Sequence, residues 1–345
     1  MRSELKDFWA CHMEKELYEL EVKRLEEEVK RRNAKRVLIQ LPDGLKPYGL
    51  RLASAVESAG ATAIISGDPC YGACDIAISE AKELDVDLIV HYGHTKMLEH
   101  VDVPIIYFKA HVRIPIEEVI KKAIKMLKPW KRIGLATTVQ HIDDLDEIGR
   151  LLSSAGKIVH VGNTCSMLSP GQVLGCNYIN AKTIASDVDA FLFFGGGRFH
   201  PLGLALATMK PVIAADPFQE KAFSLESDMR KILRRRWAMI EEARKSEIFG
   251  VIIGLKPGQK RLKAALEIME ELKRKGKRPY LLALREITST SLGNFPKIEA
   301  YVNTACPRIF FDDSSIAPRP VLTLKEAYVA LGKITWENLL KEGII

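Results

Sequence analysis

Repetition is what most constrains this chain. Short apolar runs alternate with amphipathic helical stretches, and the whole pattern occurs three times. The first copy holds Val37–Leu41, a helix near 47–59, Thr62–Ile65, Leu88–Tyr92 and Ile105–Phe108. The second holds Ile133–Ala136, Ile158–Val161, Ala190–Phe194 and Val212–Ala215. The third holds Val251–Gly254, Tyr280–Leu284, Ala300–Asn303 and Val321–Leu324. Unalternating apolar strands between amphipathic helices indicate parallel sheets covered on both faces. A length of 345 residues exceeds the usual ~100–200 residues of one domain. The expected fold is therefore α/β with three related domains, at 1–128, 129–240 and 241–345. Each is a short parallel sheet of about four strands flanked by helices, and the three are arranged around a pseudo-threefold axis. The alternative is one large doubly wound domain. Residues 1–35 are dense in Glu, Lys, Arg and Leu at helical spacing and predict a long N-terminal amphipathic helix.

Composition narrows the function classes. The net charge is +7, too weak to imply nucleic acid. The basic stretches Lys121–Arg132, Arg234–Trp237 and Lys273–Arg278 read as solvated helix faces. There is no run of 18 apolar residues to span a membrane, and the charged first residues do not resemble a secretory signal. A cytoplasmic setting is expected, so the six cysteines (Cys11, Cys70, Cys74, Cys165, Cys176 and Cys306) should be reduced. None forms a Cys-x-x-Cys pair, so any site they share has to be assembled by folding.

Ligands of open parallel sheets bind beyond the carboxyl ends of the strands, and the unusual residues lie there. Cys70 and Cys74 follow the second strand of copy one. Cys165 and Cys176 follow the second strand of copy two, and Cys306 follows the third strand of copy three. Three loops converging with one thiolate each suit a [4Fe–4S] cluster whose fourth iron lacks a protein ligand. Zinc, a cysteine nucleophile and inert buried thiols are the competing readings. Gly195–Gly197 could form a backbone nest, with Arg198 a bidentate partner for a carboxylate. His91 and His94 flank a glycine turn. Thr137–His141 offers hydroxyl and amide groups, and Arg285–Glu286 is either an ion pair or a carboxylate clamp.

LPDGL (41–45), GDPCYGACD (67–75), HYGH (91–94), TTVQH (137–141), GQVLGCN (171–177), GGGRFHP (195–201), DPF (216–218) and NTACPRI (303–309) span nearly the whole chain. Together they resemble the archaeal family of 3-amino-3-carboxypropyl transferases that open diphthamide biosynthesis. The resemblance implies a homodimer of three-domain subunits with cluster ligands Cys74, Cys176 and Cys306. It implies an unusual radical-SAM enzyme, with no Cys-x3-Cys-x2-Cys loop. Reductive cleavage of the sulfur–Cγ bond of S-adenosylmethionine would release methylthioadenosine and place the 3-amino-3-carboxypropyl group on C2 of a histidine of translation elongation factor 2. An electron donor is then required. Gln140, Arg198, His200 and Arg285 are the expected S-adenosylmethionine contacts. The alternatives are an iron–sulfur dehydratase like quinolinate synthase and a noncatalytic partner subunit.

Overall fold

The computed structural model describes residues 17–99, 101–163, 167–309 and 319–345. The chain enters through a two-residue strand, β1 (Tyr18–Glu19), followed by the helix Val22–Arg31. The expected single helix to residue 35 is therefore interrupted. Leu20 is buried and accepts the Tyr92 hydroxyl on its carbonyl at 2.9 Å, and Glu21 takes a left-handed φ of 48°. Burial of one leucine and a satisfied tyrosine hydroxyl outweigh local helix propensity there. The remainder of that prediction, with Cys11, lies outside the described residues.

The first sheet contains β2 (Arg36–Gln40), β3 (Thr62–Ile65), β4 (Leu88–Tyr92) and β5 (Ile105–Phe108) in the spatial order β3-β2-β4-β5, all parallel. A short strand β6 (His111–Val112) then pairs antiparallel with β1. The second sheet contains β7 (Arg132–Thr137), β8 (Ile158–Val161), β9 (Ala190–Phe194), β10 (Val212–Asp216) and β11 (Lys221–Ser224), ordered β8-β7-β9-β10-β11. Its last strand is antiparallel and was not foreseen. The third contains β12 (Ile248–Gly254), β13 (Arg278–Leu284), β14 (Ala300–Asn303) and β15 (Val321–Thr323), ordered β13-β12-β14-β15. Numbered within each copy, the parallel strands run 2-1-3-4 in all three sheets.

The copies also share their local devices. Gly60, Gly156 and Gly276 have φ of 88°, 78° and 73°, and each stands two residues before the second strand of its sheet. Each ends a helix in the left-handed conformation that glycine adopts without strain. Directly before the third strand of each copy stands an acid: Asp87, Asp189 or Glu299. Each accepts two backbone N–H groups beside the start of the first strand. Asp87 takes Lys35 and Arg36 at 2.6 and 2.8 Å, Asp189 takes Lys131 and Arg132 at 3.2 and 2.8 Å, and Glu299 takes Glu247 and Ile248 at 2.6 and 3.3 Å.

Period-two alternation within the strands supplies a core on both faces of each sheet. In β9, Leu192 and Phe194 pack to one side with Ile133, Leu135 and Ile148. Phe191 and Phe193 pack to the other with Leu204 and Tyr178. In β2, Val37 and Ile39 face Leu25 and Leu52 while Leu38 faces Ala73 and Ile76. In β12, Val251 and Ile252 divide in the same way.

The sheets are joined by specific bonds. Gln140 donates to the Gly93 carbonyl at 2.6 Å and Gln172 to the Thr95 hydroxyl at 2.6 Å, fastening the second sheet to the first. Lys256 pairs with Asp75 at 2.8 Å, fastening the third to the first. Lys182 donates to the Ile345 carbonyl at 2.7 Å, joining the second to the third. Among the described residues no helix is long and apolar enough to cross a membrane.

Candidate metal centre at the junction of the sheets

Cys74, Cys176 and Cys306 line one cavity of ≈ 220 Å³, one thiol arriving from each sheet. Three different local structures deliver them. In the first, Gln40 at the end of β2 donates to the Asp75 carbonyl at 2.7 Å and accepts the Ala77 N–H at 3.2 Å. A turn closes from the Asp75 N–H to the Gly72 carbonyl at 2.9 Å. The loop after β12 then grips Cys74 itself. The Gly258 N–H donates to its carbonyl at 2.8 Å and the Gln259 amide to its sulfur at 3.4 Å.

In the second, the chain after β8 runs beside Thr137, which donates its N–H to the Gly171 carbonyl and accepts that of Val173. Leu174 and Asn177 exchange both backbone bonds, at 2.9 and 3.0 Å, so Gly175 and Cys176 form a tight tip. Gly175 lies on the Phe199 ring, where a Cβ would meet the ring at 2.2 Å. In the third, Asn303 ends β14 and folds its own loop: its amide donates to the Cys306 carbonyl at 2.8 Å and its oxygen accepts the Ala305 N–H at 2.8 Å.

The thiols sense one another. Burial pushes the Cys176 thiol up to about 11, with Cys74 and Cys306 adding to the rise. Burial also raises Cys306, again with Cys74 contributing, and raises Cys74 against the opposing hydrogen bond from Gln259. Raised together, the three are neutral thiols at pH 7, and a cation among them would favour the thiolate forms. No disulfide joins these cysteines.

His94, Gln140, His200 and Arg308 also line the cavity. Burial holds His94 and His200 down to about 4, so both imidazoles are neutral at pH 7. His200 stacks on Phe193 and meets Phe199 edge-on. Arg308 lies 5.1 Å from the Tyr71 ring centre and 6.0 Å from that of Phe199.

Two of the four expected contacts are thus brought to the thiols, Gln140 and His200. Arg198 is not: its guanidinium pairs with Asp228 and lies over the Phe223 ring at 4.6 Å, beside a separate cavity of ≈ 530 Å³. It caps the start of the helix Phe199–Thr208, just after the glycines, and the ring it covers belongs to the edge strand β11 that the sequence did not reveal. Arg285 lies 3.8 Å from Glu80 and borders a third cavity of ≈ 180 Å³, which shares Tyr71, Cys306 and Arg308 with the first but not Cys74 or Cys176. Its neighbour Glu286 holds Lys256 at 2.7 Å and so is part of an ion pair. Cys165 lies outside the described residues. Sequence reading missed Arg308 as a cavity cation, although NTACPRI places it two residues after Cys306. It also missed Gly258 and Gln259, which carry no motif of their own.

A triplicated α/β architecture with one thiol from each sheet on a shared cavity defines a metal-binding enzyme of the junction type. The family model for diphthamide synthesis proteins matches residues 41–340. The 2-(3-amino-3-carboxypropyl)histidine synthase of Pyrococcus horikoshii is 42% identical over 318 residues, covering 92% of this chain and 91% of the relative. Subunit 1 of the Caenorhabditis elegans synthase is 32% identical over 326 residues, covering 92% and 81%. The crystal structure of Dph2 from Pyrococcus horikoshii with a 4Fe-4S cluster superposes with a TM-score of 0.85 at 40% identity, covering 92% of both chains. The chain belongs to the diphthamide synthesis family and is a transferase.

Proposed function

We propose that this chain transfers the 3-amino-3-carboxypropyl group of S-adenosylmethionine to C2 of a histidine imidazole on translation elongation factor 2, the first step of diphthamide biosynthesis. The observation that carries this reading is the convergence of Cys74, Cys176 and Cys306 from three sheets on one cavity. These residues would hold a [4Fe–4S] cluster, and three ligands leave one iron open to substrate. When bound, the cluster supplies the low-potential electron for reductive cleavage of the sulfur–Cγ bond, with methylthioadenosine as the other product.

The chain's own residues supply the setting. Gln259 donates to the Cys74 sulfur, a bond of the kind that tunes a metal–thiolate centre. Neutral His94 and His200 add no positive charge beside a sulfonium, and His200 offers a lone pair to the ammonium of its amino acid moiety. Gln140 is a further polar contact. Arg308 takes the carboxylate role first assigned to Arg198 and Arg285, because it is the arginine lining this cavity among the described residues. Met97, Val139, Val173, Leu174 and Phe199 wall the cavity and exclude water from a reactive carbon centre.

Further parts of the reading are an electron donor and a homodimer in the cytoplasm. The edge strand β13 supports the dimer: Tyr280 and Leu281 are exposed there, beside exposed Leu262 and Leu266 of the helix Leu262–Arg274. Such an edge is usually covered. Possession of all three thiols supports a self-sufficient catalyst over a noncatalytic partner.

Anaerobically reconstituted and reduced protein should be brown, release methylthioadenosine and label the elongation factor from carboxypropyl-labelled S-adenosylmethionine. Alanine at Cys74, Cys176 or Cys306 should abolish transfer. Colourless protein that holds only zinc, or transfer undiminished in all three variants, overturns the reading.

A further inference from the structure

A second set of donor atoms lies behind the wall of the cavity. The Cys70 sulfur and one ring nitrogen each of His91 and His94 lie within 4.8 Å of one another. We propose that Cys70, His91 and His94 form a separate mononuclear site for a borderline-soft divalent cation, zinc above all, with its fourth position open to water or a small ligand from the cavity.

Orientation is the first argument. The Gln40 side chain is fixed end to end, its amide nitrogen donating to the Asp75 carbonyl and its oxygen accepting the Ala77 N–H. That oxygen lies 3.0 Å from His91 Nδ1. An amide oxygen only accepts, so Nδ1 carries the proton and His91 Nε2 presents a lone pair. Nε2 accepts the His94 Nδ1–H at 2.9 Å, so an ion that takes both nitrogens displaces one proton, which passes to His94 Nε2. A histidine whose second nitrogen is held by an amide or carboxylate oxygen is how proteins orient a metal-bound imidazole. The polypeptide has thus set the tautomer before any ion arrives.

Geometry is the second. Tetrahedral zinc with bonds of about 2.0–2.1 Å to nitrogen and about 2.3 Å to sulfur separates its ligand atoms by about 3.3–3.6 Å. The two ring nitrogens need only part by a few tenths of an ångström, and the sulfur need approach by about an ångström. Gly93, with φ of 76°, makes the turn that returns His94 to the side of His91. Its Cβ position lies 3.1 Å from Pro42, so a larger residue would press on the loop after β2.

The donor set is the third. One thiol and two imidazoles suit zinc and disfavour magnesium or calcium. His91 is fully buried and Cys70 is 4% exposed, so two of the three donors are shielded from competing water, while His94 is half-buried on the cavity side. Cys70 does not line the cavity that Cys74, Cys176 and Cys306 share, whereas His94 does, which puts the open position toward that cavity. An ion here would tie the loop 67–75 to the end of β4, and Cys74 sits four residues after Cys70 on that loop. The site would stiffen the support of Cys74, and it stands whether or not the three cavity thiols hold a cluster.

The test is zinc binding to the full chain, freed of metal by a chelator and kept under reducing conditions. Zinc content is counted, and the ligand shell is read by X-ray absorption. The expected result for the unmodified chain is a zinc with one sulfur and two nitrogen neighbours. Cys70→Ser and His94→Gln should each abolish that shell. Gln40→Leu should weaken binding by about 10–100-fold, and Cys176→Ser should leave the shell intact. Circular dichroism of the chelated proteins checks that each variant folds, and the measurement on the unmodified chain stands without them. A shell of three sulfurs, a shell of one sulfur and two nitrogens that survives Cys70→Ser, equal loss in Cys176→Ser, or no bound zinc overturns the proposal.

Discussion

Gly258 lies directly on the backbone of Cys74. A Cβ at position 258 would meet the Cα and Cβ of Cys74 at 2.6 Å, and the Gly258 N–H donates to the Cys74 carbonyl at 2.8 Å. A ligand loop from the first sheet is therefore positioned by a turn of the third. Gly258 has an ordinary backbone φ, so the contact alone excludes a side chain. Gly258→Ala has to displace one loop, at about 1–3 kcal/mol of local strain. The expected outcome is faster loss of iron from reconstituted protein under air, with unchanged far-ultraviolet circular dichroism. Iron retention equal to that of the unmodified chain would show that Cys74 tolerates the shift.

The strands were legible because burial on both sheet faces leaves unbroken apolar runs, as in Ala190–Phe194, where no other element explains five consecutive buried positions. The triplication was legible for the same reason, although its sharpest marks, Gly60, Gly156 and Gly276 and the acids at 87, 189 and 299, show their equivalence only beside the strands. β11 was not legible: Lys221–Ser224 is four residues with two apolar side chains, too short to mark a strand, and pairing with β10 makes it one. The cysteine-bearing loops were legible from glycine and cysteine together. The charged contacts were not, because a sequence shows that Arg198 follows a strand end but not that Asp228 claims it from a helix thirty residues on. Arg308 was hidden by the opposite effect, its place being set by the Tyr71 and Phe199 rings of two other sheets.

That contrast gives a prediction for substrate binding. Arg308 lines the thiol cavity and Arg198 does not. A charged hydrogen bond to a carboxylate contributes about 1.5–3 kcal/mol. Arg308→Ala should therefore weaken S-adenosylmethionine binding to the reconstituted protein by roughly ten- to a hundredfold, and Arg308→Lys by less. Arg198→Ala should change it by less than about threefold. Calorimetric titration reads both. A larger loss in Arg198→Ala would return the carboxylate to the site the sequence first suggested.

Acid sensitivity follows from the repeated carboxylates. The Arg132 side chain and the Arg132 and Lys131 backbone N–H groups hold Asp189 down to about 2, and like bonds lower Asp87 and Glu299. A carboxylate with a lowered folded pKa stabilises the fold above its unfolded value, near 3.9 for aspartate, and gives that up as pH falls through the folded value. Asp189→Asn should therefore be less stable than the unmodified chain at pH 7, with the gap narrowing from about pH 4 toward pH 2. Urea midpoints across that range check it. A gap that stays constant with pH would mean that the charge of Asp189 plays no part.

The joint between the second and third sheets rests on a buried ion pair. The helix Glu226–Lys245 leaves β11 and runs to β12, and from its middle Arg236 reaches Glu326, with 1% and 0% of the two side chains exposed. Arg236 Nε donates to Glu326 at 2.8 Å, and a second guanidinium nitrogen donates to Glu326 and to the Val321 carbonyl. Glu326 also accepts the Thr323 N–H, while Thr323 caps the helix Leu324–Ala330 and takes the Glu326 N–H on its hydroxyl. One carboxylate thus ends a strand, starts a helix and neutralises the arginine of a third element. Removing one partner of such a pair strands the other charge in the core, at about 3–5 kcal/mol. Replacing both by apolar residues of similar volume removes the stranded charge. Glu326→Ala and Arg236→Ala should each lower the denaturant midpoint by that measure, while Arg236→Met combined with Glu326→Leu should recover more than half of the loss. Additive losses in the double variant would mean that the two side chains stabilise the joint independently, through packing and the cap, and not as a pair.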